Sequence, residues 1–347
     1  MVTIRDVAAA AGVSTATVTR ALTKPETVAT PTADRVRQAV QDLGYRPNLV
    51  ARSLRRRTAQ VVGLVMQDIE TPHFMSVCRG AEDALREHSY SATFCNTDDK
   101  LDRERAYLEV LVDQSVAGII MTPASATESD LGWLHDRGLP VVTLEMELSG
   151  AVDSVYSDNQ AGACAAVRHL LEAGAARPAC VTGGRDVPSA QDRLAGYQQA
   201  LRRAGLPLEP DLWAFTDYRE EQGEAAVRAL FALPQPPDAL FLANSRLLVG
   251  ALRALRALGR QVPDDVTLAS FDETPLMELL TPPVTTVRQR AYEIGQRAAQ
   301  LLLERIGGYA GPARHITLMP ELIIRSSSIR PDPTDPTDLT KLTDYSQ

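Results

Sequence analysis

The sequence predicts an α/β protein: a small helical module at the N-terminus, then two Rossmann-like lobes, each a parallel sheet flanked by helices. Three observations lead there. Residues 3–44 carry three short amphipathic helix patterns and no strand pattern. From Val61 onward, short β-branched runs alternate with longer amphipathic stretches, the signature of parallel sheets with crossover helices. About ten such runs occur, which is many for one compact sheet and suits two.

Thr3 is placed to cap a first helix, with Asp6 three residues on as the reciprocal partner of a capping box. Ile4, Val7, Ala8 and Ala11 share one face at helical spacing. Gly12 falls where a left-handed C-cap sits, Val13 plugs the turn, and Ser14 caps a second helix. In that helix Val18, Ala21 and Leu22 face the first, leaving Thr15, Ala16, Thr19 and Arg20 outward. The pair forms a helix-turn-helix, whose second helix lies in the major groove with its N-terminal residues against base edges. Thr30 and Pro31 read as the N-cap and first residue of a third helix, built on Val36, Ala39, Val40 and Leu43 and ended by Gly44. Three such helices bury little core, which suits a compact module and not an enzyme domain.

Three motifs then combine: A-G-V-S-x-x-T-V-x-R at 11–20, G-Y-R-P-N at 44–48 and A-R-S-L at 51–54. With them the chain resembles the lactose/galactose repressor (LacI/GalR) family of bacterial transcription regulators, and the resemblance continues through about residue 327. It implies a DNA-binding head over 1–46, a hinge helix or linker over 47–59, and a two-lobed effector-binding and dimerisation domain over 60–327. That domain is of the periplasmic-binding-protein type. Its N-lobe is expected over about 60–157 and 289–319, and its C-lobe over about 158–288 and 320–327. Three crossovers would join them, near 156–159, 286–289 and 319–322. Residues 328–347 are expected to be a disordered tail, since P-D-P-T-D-P-T-D from Pro331 has no apolar periodicity.

The resemblance also implies roles at DNA. Asn48, Ala51 and Leu54 belong to the hinge, and the residue matching Leu54 is a wedge pushed into the central base step from the minor groove. Thr15 and Ala16 are short where bulky base readers occur in other members, and Arg20 is the strongest candidate for a bidentate guanine contact. Thr3, Ser14, Thr17, Tyr45 and Asn48 are expected to hold phosphates or the minor-groove edge, fixing register. Ala29 stands where the family often has a serine cap, and Thr30 is expected to take over that capping.

Charge supports the division. Residues 1–60 hold ten Lys/Arg and four Asp/Glu, a net of +6, within a chain of −8, so the remainder carries −14. A cationic head on an acidic body directs the head to phosphate. No apolar h-region of an export signal opens the chain, and no run reaches the ~18 residues that span a bilayer. A cytoplasmic protein without membrane contact is expected. Cys78, Cys95, Cys164 and Cys180 lie far apart without metal-ligand spacing and read as buried free thiols. Neither cofactor nor metal is expected.

In the body, strands are expected at 61–66, 92–96, 118–122, 141–145, 154–157, 179–183, 213–216, 239–243, 267–271 and 285–288. Helices are expected at 75–88, 102–114, 161–173, 193–204, 222–230, 246–258 and 292–305. Open α/β sheets bind ligands beyond the carboxyl ends of their strands. Asp68 and Phe74 follow the first strand, Asn244 and Asp272 end two others, Gln289 follows the last, and Arg193 heads the helix of R-L-A-G-Y. Arg193, Asn244 and Asp272 match family residues that contact the small-molecule effector. Their chemistry suits a polyol: a carboxylate accepts from hydroxyls, a guanidinium donates as a fork, and an amide does both. The structural alternatives are an ion pair between Arg193 and Asp272, strand-end capping by Asn244 and Gln289, and core packing of Phe74.

The chain departs from the family at Ser245 and Glu273, where aspartates are common, at Glu145-Met146 in place of Asp-Arg, and at His73 in place of Phe. The effector therefore cannot be borrowed from any one relative; a sugar or sugar derivative is favoured, with a nucleoside or purine second. A sugar-binding transport component would need an export signal and no basic head. A nucleotide-using enzyme, suggested by Gly183-Gly184, would need a G-x-G-x-x-G, a P-loop or a catalytic cluster, and none is present. The expected protein is a ligand-responsive repressor, a homodimer (a tetramer left open) on a pseudo-palindromic operator in double-stranded DNA.

Overall fold

The computed structural model describes residues 2–45, 60–148 and 152–330. It divides into two units, one before and one after the Ala59–Gln60 peptide. The hinge residues Asn48, Ala51 and Leu54 and the tail from Pro331 lie outside the described residues.

The first unit is a three-helix cluster: α1 (Ile4–Ala11), α2 (Thr15–Thr23) and α3 (Thr30–Asp42), with a short 3-10 turn at Pro25–Thr27. Both halves of the capping box form at Thr3 and Asp6, and Gly12 takes φ 64° at the C-cap. That left-handed turn is open to glycine without steric cost, and it lets Ser14 start α2 at once by accepting from the Thr17 amide at 3.1 Å. Val7, Val18 and Val36 are fully buried at the centre of the cluster. One expectation fails here. Thr30 does not cap α3 but is its first residue; the cap is Ala29, whose carbonyl accepts from the Thr32 and Ala33 amides and whose side chain contributes no cap bond. Pro31, lacking an N–H, fits a first turn whose amides have no intrahelical acceptor.

The second unit holds two six-stranded sheets. The N-lobe sheet orders β11-β5-β4-β3-β1-β2, with β1 Val61–Met66, β2 Ser91–Asn96, β3 Gly118–Met121, β4 Val141–Leu144, β5 Asp153–Ser157 and β11 His315–Leu318. The C-lobe sheet orders β12-β10-β9-β8-β6-β7, with β6 Pro178–Thr182, β7 Trp213–Phe215, β8 Ala239–Leu242, β9 Thr267–Phe271, β10 Thr285–Arg288 and β12 Glu321–Ile323. Every pairing is parallel except β10 with β12. The helices are α4 (Pro72–Glu87), α5 (Leu101–Asp113), α6 (Gly132–His135), α7 (Asn159–Glu172), α8 (Pro188–Arg203), α9 (Glu220–Phe231), α10 (Ser245–Ala257) and α11 (Ala291–Ile306).

The chain passes between sheets three times: after β5, after β10 and between β11 and β12. Central strands such as β1 and β8 are apolar and buried on both faces, as parallel strands must be. In the N-lobe α4 and α11 cross in backbone contact. A Cβ at Gly80 would overlap the Tyr292 carbonyl, and one at Gly295 the Val77 carbonyl, so both positions require glycine. Asp153 on β5 is buried and bound by Arg305 at 2.7 Å and Arg314 at 2.9 Å. Burial opposes its ionisation, but the two guanidinium groups prevail and hold its carboxyl down to about 2.

Side-chain bonds to the C-lobe continue past residue 327. Ser327 and Ser328 are buried, with Ser327 donating to the Leu268 carbonyl at 2.8 Å and Ser328 bonded to Thr285 at 2.6 Å. Ser328 and Arg330, which composition put with the tail, thus bond to the C-lobe, Ser328 through its hydroxyl and Arg330 through its guanidinium to the Asp238 carbonyl.

Candidate functional site

A cleft of about 710 Å³ opens between the lobes, at the carboxyl ends of β1, β2, β4, β7, β8, β9 and β10. It gathers all six residues singled out in the body: Asp68, Phe74, Arg193, Asn244, Asp272 and Gln289.

On the C-lobe side, Asp272 follows β9 with φ 70°, a left-handed conformation that aspartate tolerates better than most residues. It is nearly buried, and one carboxylate oxygen accepts from the Gln289 amide nitrogen at 2.7 Å. Because a carboxylate only accepts, this bond fixes which way the Gln289 amide faces. Its oxygen is buried and has no partner among the described residues. Asn244 caps α10, accepting from the Leu247 amide at 2.8 Å, which is the structural role raised as its alternative. It remains on the cleft wall.

Arg193 does not head its helix. The helix starts five residues earlier at Pro188, so Arg193 emerges from the second turn of α8 and reaches the cleft from within the lobe. Its Nε donates to Asn159 Oδ1 at 2.8 Å, its Nη1 to the Ala243 carbonyl, and its guanidinium lies 3.8 Å over the Phe271 ring. No Arg193–Asp272 ion pair forms among the described residues.

On the N-lobe side, Asp68 pairs with Arg246 of α10 at 2.8 Å, an ion pair that bridges the two lobes. Phe74 packs partly against the N-lobe core and partly lines the cleft, meeting His73 edge to face. His73 and Glu145, two of the departures from the family pattern, are partners: Nε2 to Oε1 at 2.8 Å, both side chains almost fully buried. Burial disfavours both charges, yet each supports the other, so the His73 pKa is raised and that of Glu145 lowered. Glu145 sits at φ 62° to reach it. Glu273, the third departure, turns away from the cleft and pairs with Arg325 at 2.8 Å. Gly183 is explained by packing and not by nucleotide binding: a Cβ there would overlap the Tyr218 ring, which lines the cleft.

Sequence reasoning missed Tyr218, Arg219, Arg246 and Asp99 as cleft residues. Asp99 and Asp217 follow strand ends, as the singled-out residues do, and that position was the available signal.

In the head, Thr15, Ala16 and Arg20 are exposed on α2. Thr3 donates to Asp6, Ser14 shares a bond with Thr17 at 2.9 Å, and Tyr45 packs against the helix cluster. Among the described residues no helix is long and apolar enough to cross a membrane, and no His/Cys/Asp/Glu group could hold a metal ion.

Comparison with known proteins agrees with both units. The model of bacterial regulatory proteins, lacI family, matches residues 3–48, and that of the periplasmic binding protein-like domain matches 167–328. The HTH-type transcriptional repressor CytR of Escherichia coli (strain K12) is 33% identical over 328 residues, 94% of this chain and 96% of that protein. The ribose operon repressor of Halalkalibacterium halodurans is 34% identical over 306 residues, 88% of this chain and 91% of that one. Among solved structures, the transcriptional regulator CelR–cellobiose complex superposes with a TM-score of 0.72 at 29% identity, covering 94% of this chain and all of that one.

Proposed function

The chain belongs to the lacI family of bacterial regulatory proteins and is a DNA-binding transcriptional repressor, not an enzyme; from that premise we propose that it binds a pseudo-palindromic operator as a homodimer and is switched by a small sugar or sugar derivative in the interlobe cleft. The observation that carries this reading is the convergence of Asp68, Phe74, Arg193, Asn244, Asp272 and Gln289, from five separate parts of the chain, on one cavity. A cavity of that size holds a mono- or disaccharide. The printed names of two relatives, a ribose operon repressor and a cellobiose complex, support a sugar. The protein works in the cytoplasm, where its DNA is.

For the dimer, Leu276 and Leu279 on the loop after β9 are 68% and 73% exposed, an apolar surface that a partner subunit would cover. At DNA, α2 enters the major groove; Thr15, Ala16 and Arg20 face bases, and Thr3, Ser14, Thr17 and Tyr45 hold the backbone. Asn48, Ala51 and Leu54 complete the contact from the minor groove. Ligand and operator are coupled through the angle between the lobes, and the coupling is reciprocal. A nucleoside is the second reading, favoured by the aromatic rings of Phe74 and Tyr218 in the same cleft. The test is an anisotropy titration of full-length protein on a symmetric duplex at fixed salt, with and without ribose, cellobiose and cytidine. A change in operator affinity with one of them is expected; none with any sugar or nucleoside sinks the coupling.

A further inference from the structure

We propose that this cleft accepts uncharged, hydroxyl-rich effectors and rejects their phosphorylated or carboxylated counterparts. The proposal rests on the reading of the cleft as the effector site.

Seven carboxylates line the cleft against three arginines and one histidine, a formal charge of −3 even with the histidine protonated. Every one of those cations is already engaged. Arg246 is paired with Asp68 at 2.8 Å, Arg219 with Asp217 at 3.6 Å, and His73 with Glu145 at 2.8 Å. Arg193, the cation without a carboxylate partner, donates to Asn159 and to the Ala243 carbonyl and stacks on Phe271. An incoming phosphate could reach the N–H groups these arginines still have free only by sitting among Glu70, Asp99 and Asp272, for which no ion-pair partner is found among the described residues.

Beside the Tyr218 hydroxyl, which can donate as well as accept, the groups left over include several that only accept. Gln289, a lining residue, is 8% exposed; its amide nitrogen is committed to Asp272, and its buried oxygen has no donor among the described residues. Asp99 and Glu70 line the same cleft. A buried amide oxygen without a donor is satisfied by a ligand O–H or N–H, never by an anion's oxygen. Hydroxyls provide donors throughout; a phosphate dianion provides none and adds charge repelled by its surroundings. The cleft therefore reads the unmodified polyol.

Calorimetric titration of the full-length protein with matched pairs tests this: ribose against ribose 5-phosphate, glucose against glucose 6-phosphate and gluconate, cytidine against cytidine monophosphate. At least one neutral member is expected to bind, and its anionic counterpart about tenfold or more weaker. In E70Q/D99N that ratio shrinks several-fold; E70Q alone, at an exposed side chain, moves it the same way if the double variant does not fold. An anionic member binding as tightly as its neutral partner, no neutral member binding at millimolar concentration, or a ratio unchanged in the variants each overturns the proposal. Operator binding by the same preparation is scored separately, so that loss of the ligand claim and loss of the regulator reading are told apart.

Discussion

Asp272→Asn separates a ligand contact from a structural one. The carboxylate is 7% exposed, gives one oxygen to Gln289 at 2.7 Å, and lies at φ 70°. Asparagine keeps the shape and tolerates the left-handed backbone, so the fold should lose little. The Gln289 amide can turn over and accept from the new amide nitrogen. Stability should change by about 1 kcal/mol at most, a melting shift of roughly 2–4 °C for a domain of this size. The effector loses a charge-assisted acceptor, and such a bond contributes about 1.5–3 kcal/mol. Its Kd should rise on the order of tenfold to a hundredfold. Calorimetry with the effector found by screening reads the first number, and operator anisotropy reads whether more ligand is then needed for the same effect. Binding within twofold of the parent would refute the assignment. So would a melting drop well beyond 4 °C, which would make Asp272 a structural residue.

Other expectations follow from the same geometry. Asp153 has its carboxyl held down to about 2, against an unfolded value near 3.9; it stabilises the fold by about 2 kcal/mol above pH ~4 and loses this as the pH falls toward 2. Asp153→Asn should therefore lower the melting temperature at pH 7 and flatten the acid limb between pH ~4 and 2, measured by calorimetry; an unaltered acid limb would contradict the ion-pair account. Gly295→Ala forces α11 off the Val77 carbonyl and should destabilise the body by about 2–4 kcal/mol in a urea melt. Arg20→Ala should cost about 1–3 kcal/mol of operator binding and relax preference at one base pair per half-site, read by competition with single-base variants. A uniform loss across all sequences would make Arg20 a phosphate contact instead.

How far the chain could be read depended on the range of each interaction. The head was legible because its signals are local: Thr3, Asp6, Gly12 and Ser14 each act within four residues. The central strands were legible because burial on both faces makes them continuously apolar. The two that were missed, β11 and β12, are short edge strands with half-exposed residues, which leave no run. The start of α8 was missed because Val187 offers no side-chain cap, so the first polar landmark, Arg193, was taken for the beginning. Within the cleft, strand ends and the R-L-A-G-Y helix pointed to six residues, Asp272 and its partner Gln289 among them, but not to the longer-range pairs. His73 and Glu145 are 72 positions apart and Asp68 and Arg246 are 178 apart, distances over which no spacing rule operates. The substitutions at 73 and 145 read separately as two losses; folded together, they are one exchange.

Gln289 occupies an unusual station. It stands on the second passage of the chain between the sheets, one residue beyond β10 and two before α11. Asn159, the acceptor for Arg193, opens the helix just beyond the first passage. On the proposed reading of the cleft, an effector held at Gln289 and at Arg193 would act directly on the segments by which the chain passes between the sheets. On that reading sensor and axle coincide, and substitutions at 289 should alter both how tightly the effector is held and how far its arrival is felt at the operator.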